Sequence, residues 1–164
     1  MYTPDSNRFR ELAAHHNLIP VYREISADLE TPVSAFLKTA GTPYSFLLES
    51  VEGGEQVARY SFIGTEPSQV VRTGIGQRDG DSDPLELMRD KLGGVNYAQV
   101  EGLPGRFHGG AVGYLSYDAI RFIEPRVPPL KEAGINIPES VFMYTDSLLV
   151  FDHVQHRIAA VAHA

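Results

Sequence analysis

The sequence predicts an α+β fold, a mostly antiparallel sheet with interspersed helices. Three observations predict it. Short β-branched and aromatic runs recur with turn residues between them, two of them facing each other across Gly53-Gly54. Two helix starts, Thr31-Pro32 and Asp83-Pro84, carry a capping side chain followed by proline. Two apolar runs, Ser147 to Asp152 and Arg157 to Ala162, read as a closing hairpin.

Taken in order, Asp5 or Ser6 can cap a first helix in which Phe9, Leu12 and Ala13 share a face and which stops near Asn17. Ile19 to Ile25 reads as a strand. Thr31 then caps a helix in which Val33, Phe36 and Leu37 recur at helical spacing, ended by Gly41. Tyr44 to Ser50 and Arg59 to Gly64 form the next pair of strands, with the reversal at Val51 to Glu55. Gln69 to Thr73 is a further strand, and Gly74 to Asp83 an acidic turn-rich segment. From Asp83, a helix carries Leu85, Met88 and Leu92 on one face and closes at Gly93-Gly94; Val95 to Gly105 reads as loop. In the run Phe107 to Tyr117, Gly109, Gly110 and Gly113 cost backbone entropy, which predicts close approach of another segment. Asp118 to Glu124 is a short helix before a proline-rich connector. Ser147 to Asp152 and Arg157 to Ala162 form a closing hairpin about His153 to His156, whose last strand lacks a following element to cover it. An apolar strand left bare in this way predicts a chain that continues.

A length of 164 residues suits one domain, and a net charge of −7 argues against nucleic acid or an anionic membrane surface. Without cysteine there is no disulfide, thiolate nucleophile or Cys-bound metal. No apolar run reaches membrane-spanning length and no signal-like start is present, so a cytoplasmic location is expected.

The most chemically loaded stretch is Tyr44 to Gly64. Adjacent strands there would carry Glu49, Ser50 and Ser61 out of a hydrophobic layer, as on the rim of a small-molecule pocket. The plainer reading of the same pattern is a half-buried hairpin whose polar ends meet solvent. Arg59 is a candidate ion-pair partner for Glu49, although a surface pair of little worth is the commoner outcome. Asp152, His153 and His156 have loose metal-ligand spacing, but in a hairpin turn the expectation is exposure. Gly109-Gly110 with Gly113, and Gly74 with Gly76, lack the strand–loop–helix setting of a phosphate or dinucleotide site. His15 and His16 suit a helix C-terminus. No Ser/His/Asp set stands out as a catalytic triad.

Together, Pro43 to Gly54, Arg59 to Gly64 and Gly109 to Asp118 resemble the N-terminal region of anthranilate synthase component I, with Asp83 to Leu85 and Asp146 to Asp152 in the expected order. The resemblance covers nearly all of residues 1–164 and implies half of a larger chorismate-enzyme fold, the regulatory N-terminal region without the catalytic C-terminal one. It implies an enzyme, a carbon–oxygen lyase, that converts chorismate and glutamine or ammonia to anthranilate and pyruvate. Mg²⁺ would be bound elsewhere in the full-length protein, with no metal or catalytic residue in this stretch, which alone would be inactive. The implied partners are the catalytic region of the same chain and a glutamine amidotransferase subunit, component II. The implied site is part of a tryptophan feedback pocket at Leu48, Glu49, Ser50, Tyr60 and Ser61. The alternatives are aminodeoxychorismate synthase component I, which shares the architecture, and a free-standing non-catalytic ligand-binding module.

Overall fold

The computed structural model describes residues 1–49, 59–128 and 137–164. The reversal expected at Val51 to Glu55, and Ser50 itself, lie outside the described residues. The chain divides into two units, residues 1–67 with 95–110 and 145–164, and residues 68–94 with 111–144.

The first unit is built on a five-stranded antiparallel sheet. Its strands are β1 (Pro20–Ser26), β2 (Ser45–Glu49), β3 (Tyr60–Thr65), β7 (Ser147–Asp152) and β8 (Arg157–His163), in the order β1-β8-β7-β3-β2. Helix α1 (Ser6–Ala13) is capped by the Asp5 carboxylate, which accepts from Asn7 and Arg8 N–H. Leu12 of that helix packs with Ile19 and Ala98, flanked by Phe9 and Val100. Helix α2 (Pro32–Thr39) starts as expected, with Thr31 and Ser34 in a reciprocal capping box. It lies against β2 and β3. Ala35 packs there with Ile63, Phe151 and Ile158, one residue from each of β3, β7 and β8. Full burial of a side chain such as Ile63 is worth roughly 1.5–3 kcal/mol, so this cluster fixes which sheet face meets the helix. The opposite face carries Phe46 and Phe62 edge-on to Phe107, at centroid separations of 6.4 and 5.6 Å. The Phe46 ring also occupies the space a Cβ at Gly64, its register partner, would need.

The expectation of an uncovered final strand is corrected here. β8 lies inside the sheet, hydrogen-bonded to β1 on one side and β7 on the other, with Ile158, Ala159 and Val161 buried. Local patterning could not reveal this, because the partner β1 is more than a hundred residues away in sequence.

The second unit holds a three-stranded sheet of β4 (Gln69–Thr73), β5 (Gly110–Leu115) and β6 (Ser140–Thr145), in the order β4-β6-β5. The single sheet implied by the sequence is therefore two, and β6 was not foreseen. Its buried face alternates (Ser140, Phe142, Tyr144), but a Ser and a Tyr on that face hid the pattern. Helix α3 (Pro84–Leu92) is capped by Asp83, as expected. A 3-10 turn, Tyr117–Ala119, leads into the short α4 (Ile120–Ile123). Arg121 of α4 binds Glu139 at 2.8 and 2.9 Å and also Asp81, and these two carboxylates hold its pKa above the ordinary arginine value. The close approach expected at the glycine-rich strand is present. A Cβ on Gly113 would stand 1.9 Å from the Val141 carbonyl oxygen. Gly109, at φ +155, has the His163 ring where a side chain would begin.

Candidate functional site

The β2–β3 register sets the geometry of the expected site. Glu49 and Ser61 are direct partners across the antiparallel pair, and Leu48 is the partner of Phe62. Directly opposed residues share a face, and neighbours along a strand alternate. Glu49 and Ser61 therefore lie on the face that also carries Leu47, Ile63 and Phe151. Leu48 and Tyr60 lie on the other. The structure thus brings together one acid and one hydroxyl of the expected set and separates them from the two apolar members. Because β2 is an edge strand, Leu48 can reach a ligand on the Glu49 face only around that edge.

Ser61 is 2% exposed, so its hydroxyl must be satisfied within the protein. It is 2.8 Å from His153 Nε2, and the His153 ring stacks on Phe151 at a centroid distance of 6.3 Å. The His153 backbone N–H donates to the Arg59 carbonyl at 2.9 Å, which extends the β3–β7 ladder by one pair. Glu49, in contrast, is exposed.

Arg59 does not pair with Glu49, contrary to the sequence expectation. Its Nε and NH2 groups donate to Asp152 at 3.1 and 2.6 Å, and its guanidinium lies 5.0 Å from the Tyr60 ring centroid. The reason is topological: β7, not only β2, borders β3, and Tyr60 and Asp152 are register partners. Asp152 is 3% exposed and also accepts from the Val154 and Gln155 backbone N–H groups, which fixes the β7–β8 turn. Burial alone would raise its pKa. Arg59 and those two turn N–H groups outweigh it and hold the carboxyl below its ordinary value. With Asp152 so engaged and His153 on Ser61, the loose Asp–His–His spacing does not converge. Among the described residues, no group of three or more His, Asp or Glu could hold a metal ion.

A second polar cluster in this unit was missed. The Tyr97 hydroxyl is 3.1 Å from His108 Nδ1, and His108 Nε2 is 3.2 Å from the Pro104 carbonyl oxygen. The carbonyl can only accept, so the ring carries its proton on Nε2 and accepts from Tyr97. His163 meets the Asp146 carbonyl at 2.9 Å, with its ring beside Tyr97. The three aromatic polar residues sit in loops or at a strand end, where no periodicity announces them. A cavity of about 330 Å³ lies elsewhere in the unit, bordered by Asp5, Arg8, Gln99 and Glu101, and none of the expected site residues lines it.

The fold is that of part of a known enzyme: the chain resembles the crystal structure of anthranilate synthase component I from Streptococcus pneumoniae, with a TM-score of 0.52 and 26% identity over 84% of this chain and 31% of that one. Curated relatives agree. A probable anthranilate synthase component 1 of Schizosaccharomyces pombe is 44% identical over 98% of this chain and 32% of its own length. Those of Acetivibrio thermocellus and Synechocystis are 40% and 41% identical, over 99% and 100% of this chain. No family model matches the sequence. The chain is therefore related along its whole length to the N-terminal part of anthranilate synthase component 1, as its motif blocks implied, and it spans about a third of the length of those relatives. Among the described residues no helix is long and apolar enough to cross a membrane.

Proposed function

We propose that this chain is the N-terminal, regulatory part of a cytoplasmic anthranilate synthase, and that its β2–β3 hairpin contributes one wall of a tryptophan feedback site. The whole enzyme, a lyase, would convert chorismate and an amino donor to anthranilate and pyruvate. Catalytic residues and Mg²⁺ would lie in the remaining two-thirds, and a glutamine amidotransferase subunit would supply ammonia. Residues 1–164 alone would be inactive.

The observation that carries this reading is the register that sets Glu49 directly across from Ser61 on one face. An amino-acid zwitterion needs an acceptor for its ammonium and a donor for its carboxylate, and an acid beside a hydroxyl supplies both. Ser50 would add a second hydroxyl, with Leu48 and Tyr60 reaching the indole around the strand edge. The test is tryptophan inhibition of anthranilate formation by the full-length enzyme, followed by product fluorescence. Glu49→Ala should raise the half-inhibitory tryptophan concentration at least about tenfold, the loss expected for one charge-assisted hydrogen bond, with the uninhibited rate retained. Unchanged inhibition in both Glu49→Ala and Ser50→Ala refutes the site.

A further inference from the structure

We infer that His153 is a positioning residue of this effector site: its Nε2 fixes which way the Ser61 hydroxyl hydrogen points. The inference rests on the effector reading above and adds a residue to it from β7, a strand that the hairpin alone does not include. Ser61 is buried and its Oγ has His153 Nε2 at 2.8 Å, while Glu49 stands across the pair. A hydroxyl has one hydrogen to give. A ring that accepts from Ser61 consumes it, and Ser61 then offers a ligand only lone pairs. A ring that donates from Nε2 leaves the Ser61 O–H free. Glu49 already provides the acceptor for an ammonium group, so the role left to Ser61 is that of a donor to the carboxylate. The complementary state is therefore the one in which His153 donates. The ring is held for this by stacking on Phe151, and its backbone by the bond to Arg59. His153 itself is exposed, so its side chain is not needed to fill the core.

The experiment compares His153→Ala, His153→Gln and His153→Glu in the full-length enzyme, beside Glu49→Ala. Glutamine places a donating nitrogen where Nε2 stands; glutamate has the same reach but only accepts. Expected are a roughly tenfold rise in half-inhibitory tryptophan for His153→Ala, at least as large a rise for His153→Glu, and retention within about threefold for His153→Gln. The uninhibited kcat and KM should stay at wild-type values, while the thermal midpoint should fall in His153→Ala, which leaves the buried Ser61 hydroxyl without its partner, and hold in His153→Gln, which replaces it. If Glu49→Ala loses inhibition while His153→Ala keeps it, or if Gln behaves as Glu does, the positioning role is overturned and the effector site stands. If neither Glu49→Ala nor any His153 variant alters inhibition, the effector reading itself falls.

Discussion

Replacing Asp152 by alanine should destabilise the protein by about 3 kcal/mol. The carboxylate makes a two-pronged pair with Arg59 at 3.1 and 2.6 Å and accepts two turn N–H groups at 3.0 and 3.1 Å. A hydrogen bond to a charged group is worth roughly 1.5–3 kcal/mol. Arg59 is 33% exposed and can rehydrate, so the lower half of that range applies to the pair. The turn N–H groups add about 1 kcal/mol, as a lost helix cap does. Asparagine keeps an acceptor for the turn but loses the charge, so Asp152→Asn should cost about 1.5–2 kcal/mol. For a chain of 164 residues, 3 kcal/mol corresponds to a drop in thermal midpoint of about 6–12 °C. Urea unfolding followed by circular dichroism measures all of this, and a cycle with Arg59→Ala should return a coupling of about 1.5 kcal/mol. A loss below about 1 kcal/mol for Asp152→Ala, or additive single and double variants, would refute the assignment of Asp152 as the anchor of Arg59 and the turn.

Thr73 and Ser140, both fully buried, bond to each other at 2.7 Å. Thr73→Val should therefore cost about 1–3 kcal/mol in urea unfolding, with part of the loss recovered in the double variant with Ser140→Ala. Gly113→Ala forces a methyl against the Val141 carbonyl and should cost roughly 3 kcal/mol, the upper end for overpacking; a neutral substitution would show that the strands separate freely. Burial, aided by the charge of His163, pushes the His108 imidazole below its ordinary 6.5 against the opposing bonds to the Pro104 and Gly105 backbone. The folded state thus favours the neutral ring, and this contribution is complete above pH 6.5 and declines as the pH falls below it. Asp152, whose carboxyl is also shifted down, adds a second acid-sensitive term that is complete above its ordinary 3.8 and lost below it. His108→Gln should flatten the decline between pH 7.5 and 5.5 and leave the lower limb in place.

Local chemistry explains why some elements were legible. The capping pairs Thr31-Pro32 and Asp83-Pro84 act within one turn, and α2 and α3 begin where they stand. The apolar runs of β2 and β3, and of β7 and β8, are separated in the sequence by turn residues, and both antiparallel strand pairs formed. Strand order is another matter. That β7 borders β3 and β8 borders β1 depends on contacts far apart in sequence, and those contacts decide the site. They give Arg59 to Asp152 rather than Glu49, and give Ser61 to His153. The Tyr97–His108–His163 cluster draws on loop residues and one strand end, so neither a period of two nor one of 3.6 could have exposed it.

The sheet order β1-β8-β7-β3-β2 has a consequence for biosynthesis. β1 leaves the ribosome early, yet its ladder partner is the last strand of the described chain, so its backbone groups must wait through more than a hundred residues of translation. Completion of this layer is non-local by construction, which slows folding and exposes an unpaired strand in the meantime. Nascent chains arrested before residue 157 should accordingly be far more susceptible to protease than those arrested well after residue 163.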